Sequence, residues 1–273
     1  ARTAFDSMPR LEVSREVLMD AEQIAIGTFS PLQGFMTKTE FLSVLDTMRL
    51  PNGIVWTLPI YLQITAEQVS SLQEGQEVAL VLVTDRNDPK PYAILHIEEI
   101  YTLDLEETAV KFFGTKDKTH PGVKRLFSQG NSFIGGKIDL VRRMKSDDKQ
   151  YQLTPAQTRK IFEERGWKHV VGFHTRNAIH RSHEFLQLES MKRGGCDGLF
   201  VHPVVGKKKP GDFLTSVIVK SYEIMMNKFY PKQSVVFGVF STFSRYGGPR
   251  EAVFTAICRK NFGCSHFVIG RDH

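Results

Sequence analysis

From about residue 150 onward, short β-branched runs alternate with longer stretches whose apolar residues recur at helical spacing. The pattern predicts strands at 169–174, 198–203, 234–239 and 265–269, with helices at about 178–193, 213–228 and 249–261. Another helix opens this half, capped by Thr154 with Pro155 at its first position, where a missing N–H is harmless. Regular alternation of this kind builds a parallel sheet from βαβ units. The first half has no such rhythm. A helix is expected over about 14–26 with Ser14 as its cap, and the Pro and Gly of Phe29-Ser-Pro-Leu-Gln-Gly-Phe-Met36 then break regular structure. Strand-like runs follow at 53–57, 60–64, 77–83 and 92–97, separated by turn residues such as Asp85-Arg-Asn-Asp-Pro89. That spacing suits a small barrel or sandwich. The expected organisation is a β-rich domain over residues 1–147 and an α/β domain over 148–273.

Composition adds limits rather than detail. The 273 residues, 41% hydrophobic and 24% charged, are those of an ordinary globular chain. No apolar run approaches the roughly 18 residues of a membrane span, and the amino terminus does not read as a signal peptide. Cys196, Cys258 and Cys264 are few, odd in number and without metal-ligand spacing, which points to a reducing compartment and a cytoplasmic protein. A net charge of +6 fits nucleic acid and small anions equally, but the basic residues are scattered. The exception, Lys207-Lys-Lys209, reads as a solvated loop, and no aromatic-plus-basic stripe for stacking bases stands out. Neither a membrane nor a nucleic-acid partner is expected.

In the α/β half every polar motif follows a strand. The densest is His174-Thr-Arg-Asn-Ala-Ile-His-Arg-Ser-His-Glu184, between the run Lys168-His-Val-Val-Gly-Phe173 and an amphipathic stretch closed by Gly194-Gly195. Ligands of open α/β sheets collect at such strand-to-helix turns. A helix beginning near Asn177 would bring free N–H groups and the positive dipole end beside Arg176. His180 and His183, three apart, would then share a helix face. One arginine, two histidines and a helix start suit an anion, most simply a polyphosphate. The same residues also fit a solvated cap with surface histidines, and residue types alone leave both readings open. Zinc is disfavoured by the H-x-x-H-E order and the lack of a third ligand nearby. Elsewhere, Asp212 could cap the next helix, Arg250 is either a solvated charge or a phosphate contact, and Gly130–Lys137 has the wrong spacing for a P-loop.

The segment resembles the Q-T-R-N-P-x-H-R-x-H signature of ATP sulfurylases (sulfate adenylyltransferases), with His174 for Gln and Ala178 for Pro. Three further blocks are similar to the family's: the loop His202-Pro-Val-Val-Gly-Lys-Lys-Lys-Pro-Gly-Asp212, Gly248-Pro-Arg-Glu-Ala252, and Arg259-Lys-Asn-Phe-Gly-Cys-Ser-His-Phe-Val-Ile-Gly-Arg-Asp-His273. Phe29–Met36, Phe113-Gly-Thr-Lys-Asp117 and His120-Pro-Gly122 resemble the family's amino-terminal PUA-like domain. The resemblance covers essentially the whole chain, although the family continues past His273 and commonly has His at Thr255. It implies a mainly β PUA-like domain followed by a Rossmann-like nucleotidylyltransferase sheet, the latter incomplete at its carboxyl end.

The implied reaction is adenylyl transfer from MgATP to sulfate, giving adenosine 5′-phosphosulfate and pyrophosphate, with magnesium (Mg2+) arriving on the nucleotide. By the same resemblance Arg176 and His174 would contact sulfate, and Thr175 and Asn177 would shape the reaction centre. His180 and His183 would stabilise the departing pyrophosphate. ATP would be held by this whole set together with Gly270, Arg271, Asp272 and His273. Self-association is expected from the family. Two alternatives stand beside this one: a nucleotidylyltransferase with another anionic acceptor, and a silent relative in which the PUA-like domain is a binding module. Because imidazole titrates near neutrality, His174 carries one further expectation: sulfate should bind more tightly as pH falls from about 8 to about 6.

Overall fold

The computed structural model describes residues 5, 7–84, 90–206 and 211–270. The expected turn at 85–89, the lysines 207–209 and the Arg271–His273 part of the candidate site lie outside the described residues. The chain forms two compact units, residues 1–144 with 244–254, and residues 145–243 with 255–273.

The first unit runs β1 (Arg10–Val13), α1 (Arg15–Ala25), β2 (Gly34–Phe35), α2 (Lys38–Thr47), β3 (Leu62–Ile64), α3 (Ala66–Val69), β4 (Glu77–Leu82), β5 (Ala93–Thr102), α4 (Leu105–Phe113), α5 (Pro121–Leu126) and β6 (Ser132–Leu140). The strands form one mixed sheet in the order β1-β4-β5-β6-β2, with β3 sharing the β6 edge with β2. Only the β1–β4 pairing is parallel among its ladders. Ser14 caps α1 as expected. The run at 53–57 is not a strand: it makes a single bridge, Arg49 to Val55, and Trp56 is buried with its indole N–H on the Leu58 carbonyl. Of its apolar residues only Trp56 serves the core, while Ile54 and Val55 are exposed. The glycine-rich segment 130–137 instead supplies most of β6, the strand with the most partners. Glycine is needed there because neighbouring chain passes closely: a Cβ on Gly135 would overlap the Thr37 backbone, and one on Gly136 the His96 carbonyl oxygen.

Residues 244–254 complete this unit. The Arg245 guanidinium pairs with the buried Asp20 carboxylate, and Phe254 packs 5.2 Å from Phe29 and 5.6 Å from Trp56. Arg250, read as either a solvated charge or a phosphate contact, is half-buried. It donates to the carbonyls of Val44 and Leu45 at 3.2 and 2.8 Å, near the carboxyl end of α2, where a cation meets orphan carbonyls.

The second unit runs α6 (Pro155–Glu164), β7 (Val170–Phe173), α7 (Arg181–Arg193), β8 (Gly198–Val201), α8 (Thr215–Lys228), β9 (Val235–Phe237), α9 (Pro249–Asn261) and β10 (His266–Val268). The first six residues of α9 belong to the first unit and its last seven to the second. Thr154 and Gln157 form a reciprocal capping box on α6. All four strands pair in parallel, in the order β10-β7-β8-β9. Alternate strand residues feed two cores. Val171, Phe173, Leu199, Val201, Val235 and Phe237 pack on one face; Val170, Phe200 and Val236 pack with Phe162 and Phe262 on the other. The parallel sheet expected from the alternation is present. Asp212 does not cap α8, because Leu214 occupies the cap position in extended conformation.

Candidate active site

The strand order determines where a ligand can sit. The chain lays β7, β8 and β9 side by side in sequence, then returns through α9 to place β10 on the other flank of β7. Order therefore reverses between β7 and β10, and in open parallel sheets such a reversal is where ligands bind, beyond the carboxyl ends of the strands. The loop His174–His180 leaves the end of β7. Ile269 and Gly270 leave the end of β10 and lead into Arg271, Asp272 and His273. The two densest polar motifs thus depart from the two strands that flank the reversal.

The β7 loop is pinned at several points. Thr175 is buried; its hydroxyl accepts from the Asn177 N–H at 3.1 Å, and its carbonyl accepts from the Val204 N–H at 2.8 Å. The Ile179 N–H is taken by the Ser221 hydroxyl at 3.2 Å, and the Ile179 side chain packs against the core. These commitments keep the chain out of a helix through His180, so α7 starts at Arg181 rather than near Asn177. The uncapped N–H groups of its first turn accordingly lie beyond His180, which holds the cap position without a side-chain capping bond. They face the histidines rather than Arg176 in sequence order. Arg176 itself is half-buried and Asn177 exposed.

The two histidines meet by stacking and not as neighbours on one helix face. Their ring centroids are 3.8 Å apart with planes 27° from parallel. His180 Nδ1 lies 3.0 Å from the Ser182 hydroxyl, and His183 stands edge-on to Phe173. Burial lowers the His183 pKa below the ordinary histidine value, and the neighbouring His180 lowers it further. His183 is therefore held in its neutral form near pH 7. Among the described residues, no group of three or more His, Cys, Asp or Glu side chains could hold a metal ion.

His174 is placed by a residue to which the sequence reading gave no role. Arg259 of α9 is fully buried, and its Nη2 donates to His174 Nδ1 at 3.0 Å and to the His202 carbonyl at 2.8 Å. It thus joins the chain just past β7 to the chain just past β8. Gly172 makes room, since a Cβ there would come within 2.9 Å of the Arg259 Cγ. A guanidinium only donates, so Nδ1 keeps its lone pair and the imidazole carries its proton on Nε2. The single available signal for Arg259 was its place at the head of the Arg259–His273 block, since α9 carries Arg250 and Lys260 as well.

His202 is buried among Phe200, Phe240 and Phe262, stacked on Phe240 at 5.2 Å. Burial, then the Arg259 charge, drives its pKa well below the ordinary value. The folded state therefore stays unprotonated where the unfolded chain binds a proton, so stability falls as pH drops through the unfolded value near 6.5. The slope is up to about 1.4 kcal/mol per pH unit for such a group. Urea midpoints at pH 7.5 and 5.5 should differ for the parent, and His202→Phe should shrink that difference by about 1 kcal/mol. Equal differences in both proteins would mean that another group carries the acid sensitivity.

Comparisons with known proteins bear on these features directly. Residues 149–273 match the family described as ATP-sulfurylase, and residues 1–143 match the family described as PUA-like domain. The sulfate adenylyltransferase of Halothermothrix orenii is 46% identical over 267 residues, 97% of this chain and 68% of that protein. That of Synechococcus sp. (strain JA-3-3Ab) is 43% identical over 273 residues, 100% of this chain and again 68% of the relative. The hexameric APS kinase from Thiobacillus denitrificans has a similar fold, with a TM-score of 0.77 at 22% identity, covering 97% of this chain and 48% of that one. With identity of this depth across both units, the chain belongs to the sulfate adenylyltransferase family.

Proposed function

We propose that the α/β unit carries out adenylyl transfer from MgATP to sulfate at the crevice between β7 and β10. The observation that carries this reading is the reversal of strand order, because it brings His174–His183 and Gly270 to neighbouring strand ends. A sulfate oxygen attacks the α-phosphorus, the bond to the bridging oxygen breaks, and pyrophosphate leaves with that electron pair. Sulfate is already a dianion, so no general base is required of the protein. The difficulty is to bring two anions together in line, which residues meet by positioning and charge neutralisation.

Arg176 is read as the sulfate grip, with two parallel N–H bonds to its oxygens. Thr175 and Asn177 set the loop that carries it. His180, His183 and the uncapped amides of α7 are read as donors to the phosphates, where negative charge grows as pyrophosphate departs. Gly270, Arg271, Asp272 and His273 are assigned to the nucleotide. Magnesium enters as part of the substrate. The β-rich unit is read as structural, and self-association and a cytoplasmic location belong to the same proposal. No described helix is long and apolar enough to cross a membrane.

Pyrophosphate release from ATP, measured with sulfate and with a panel of other oxyanions, tests the reading. Release that depends on sulfate above the other anions is expected. Preference for another oxyanion would move the chain to a different acceptor, and no release with any would make it a silent relative.

A further inference from the structure

Arg259 is unusual for a buried cation. Its side chain has no solvent exposure, yet among the described residues no carboxylate pairs with it. The guanidinium lies 4.6 Å over the Phe240 ring and 5.9 Å from the centre of Phe267. Burial lowers its pKa to about 10, which leaves it charged at neutral pH. Nη2 is spent on His174 and the His202 carbonyl, while Nε and Nη1 have no hydrogen-bond partner among the described residues. An unpaired buried charge with two unsatisfied nitrogens is a large cost to the fold. A leucine or methionine of similar reach would fill the same space without it.

The cost is intelligible if the charge and the fork serve the crevice. The structure assigns to Arg259 a positioning role for the acceptor-anion subsite: it holds the His174 imidazole in its Nε2–H form at the end of β7 and keeps a positive charge beside it. This rests on the reading of His174 and Arg176 as contacts to the acceptor. Position 174 must then present an acceptor to Arg259 and a donor to the anion. Neutral imidazole does both through its two nitrogens, and an amide does both through its oxygen and nitrogen. Methyl or carboxylate groups cannot. A merely structural Arg259 would instead tie two strand ends together with no preference for what stands at 174.

A double-mutant cycle separates the two roles. Arg259→Met removes the charge and keeps much of the volume; His174→Ala removes the group it acts through. Arg259→Met should raise the sulfate KM about tenfold or more, with the ATP KM changed less than about threefold. The double variant should be no more than about twofold worse than the poorer single one. Losses that multiply, or KM values that rise together for both substrates, would overturn the proposal in favour of a structural pin. Should Arg259→Met fail to fold, 15N-histidine NMR of the unaltered protein decides. His174, identified by the signal lost in His174→Ala, should show an unprotonated Nδ1 at pH 7; a proton there overturns the proposal. Absence of sulfate-dependent turnover in the parent would instead remove the functional reading, and the tautomer measurement would still report whether Arg259 holds His174.

Discussion

Arg176→Ala should lower sulfate-dependent turnover by about a thousandfold or more, with the melting temperature shifted by less than about 3 °C. The first half follows from the demand on this residue. Two anions must meet, and a guanidinium fork supplies charge and two aligned bonds to one of them. Loss of one such preorganised contact to a reacting anion removes about 3 to 4 kcal/mol of transition-state stabilisation. The second half follows from its position on a half-buried loop whose anchors are other groups: the Thr175 hydroxyl and carbonyl, and the Ile179 N–H. Arg176→Lys should recover little, because an ammonium is a point charge and cannot present the fork. Turnover of Arg176→Ala within tenfold of the parent would end the assignment of this residue to the acceptor.

Replacing His180 or His183 by alanine should cost about a hundredfold in kcat while the ATP dissociation constant moves less than about threefold. Charge builds on the leaving pyrophosphate mainly in the transition state, so donors aimed at it act on turnover and not on ground-state binding. The stacked geometry adds a second expectation. Rings 3.8 Å apart act as one unit, so the double alanine variant should be only slightly worse than either single one. Equilibrium ATP binding beside steady-state kinetics gives the answer. If affinity fell in step with kcat, the pair would be ordinary ground-state binders.

Much of the α/β unit was legible because its strands and helices differ in period and are punctuated. The bounds of α9 and the cap at Thr154 follow from local chemistry alone: Pro249 and Pro155 suit first helical positions, and Thr154 suits a cap. The start of α7 was not legible, since what delays it is the Ile179 amide committing to Ser221, 42 residues away. In the β-rich unit, β6 was missed because adjacent Gly135 and Gly136 weaken any strand signal. Their reason is the close passage of neighbouring chain at Met36–Thr37 and His96. The candidate site shows the same division. His174–His183 declares itself by residue type, whereas Arg259 reads as one more helix cation until its burial is known. Arg250 was ambiguous for a related reason: a helix end 205 residues earlier in sequence claims it.

The buried pair of Asp20 and Arg245 has a consequence for how this protein comes into being. The two residues are 225 positions apart, so a chain emerging from the ribosome carries Asp20 long before its counter-ion has been made. The aromatic lid over Phe29 and Trp56 arrives later still, with Phe254. The β-rich unit therefore waits, unfinished, until the α/β unit has been largely translated. A fragment cut at residue 147 would have to bury a carboxylate without its cation, at a cost of about 3 to 5 kcal/mol, and would leave two aromatic rings open to water. In this molecule residues 244–254 complete a core begun more than two hundred residues earlier, and the order of synthesis is not the order of completion.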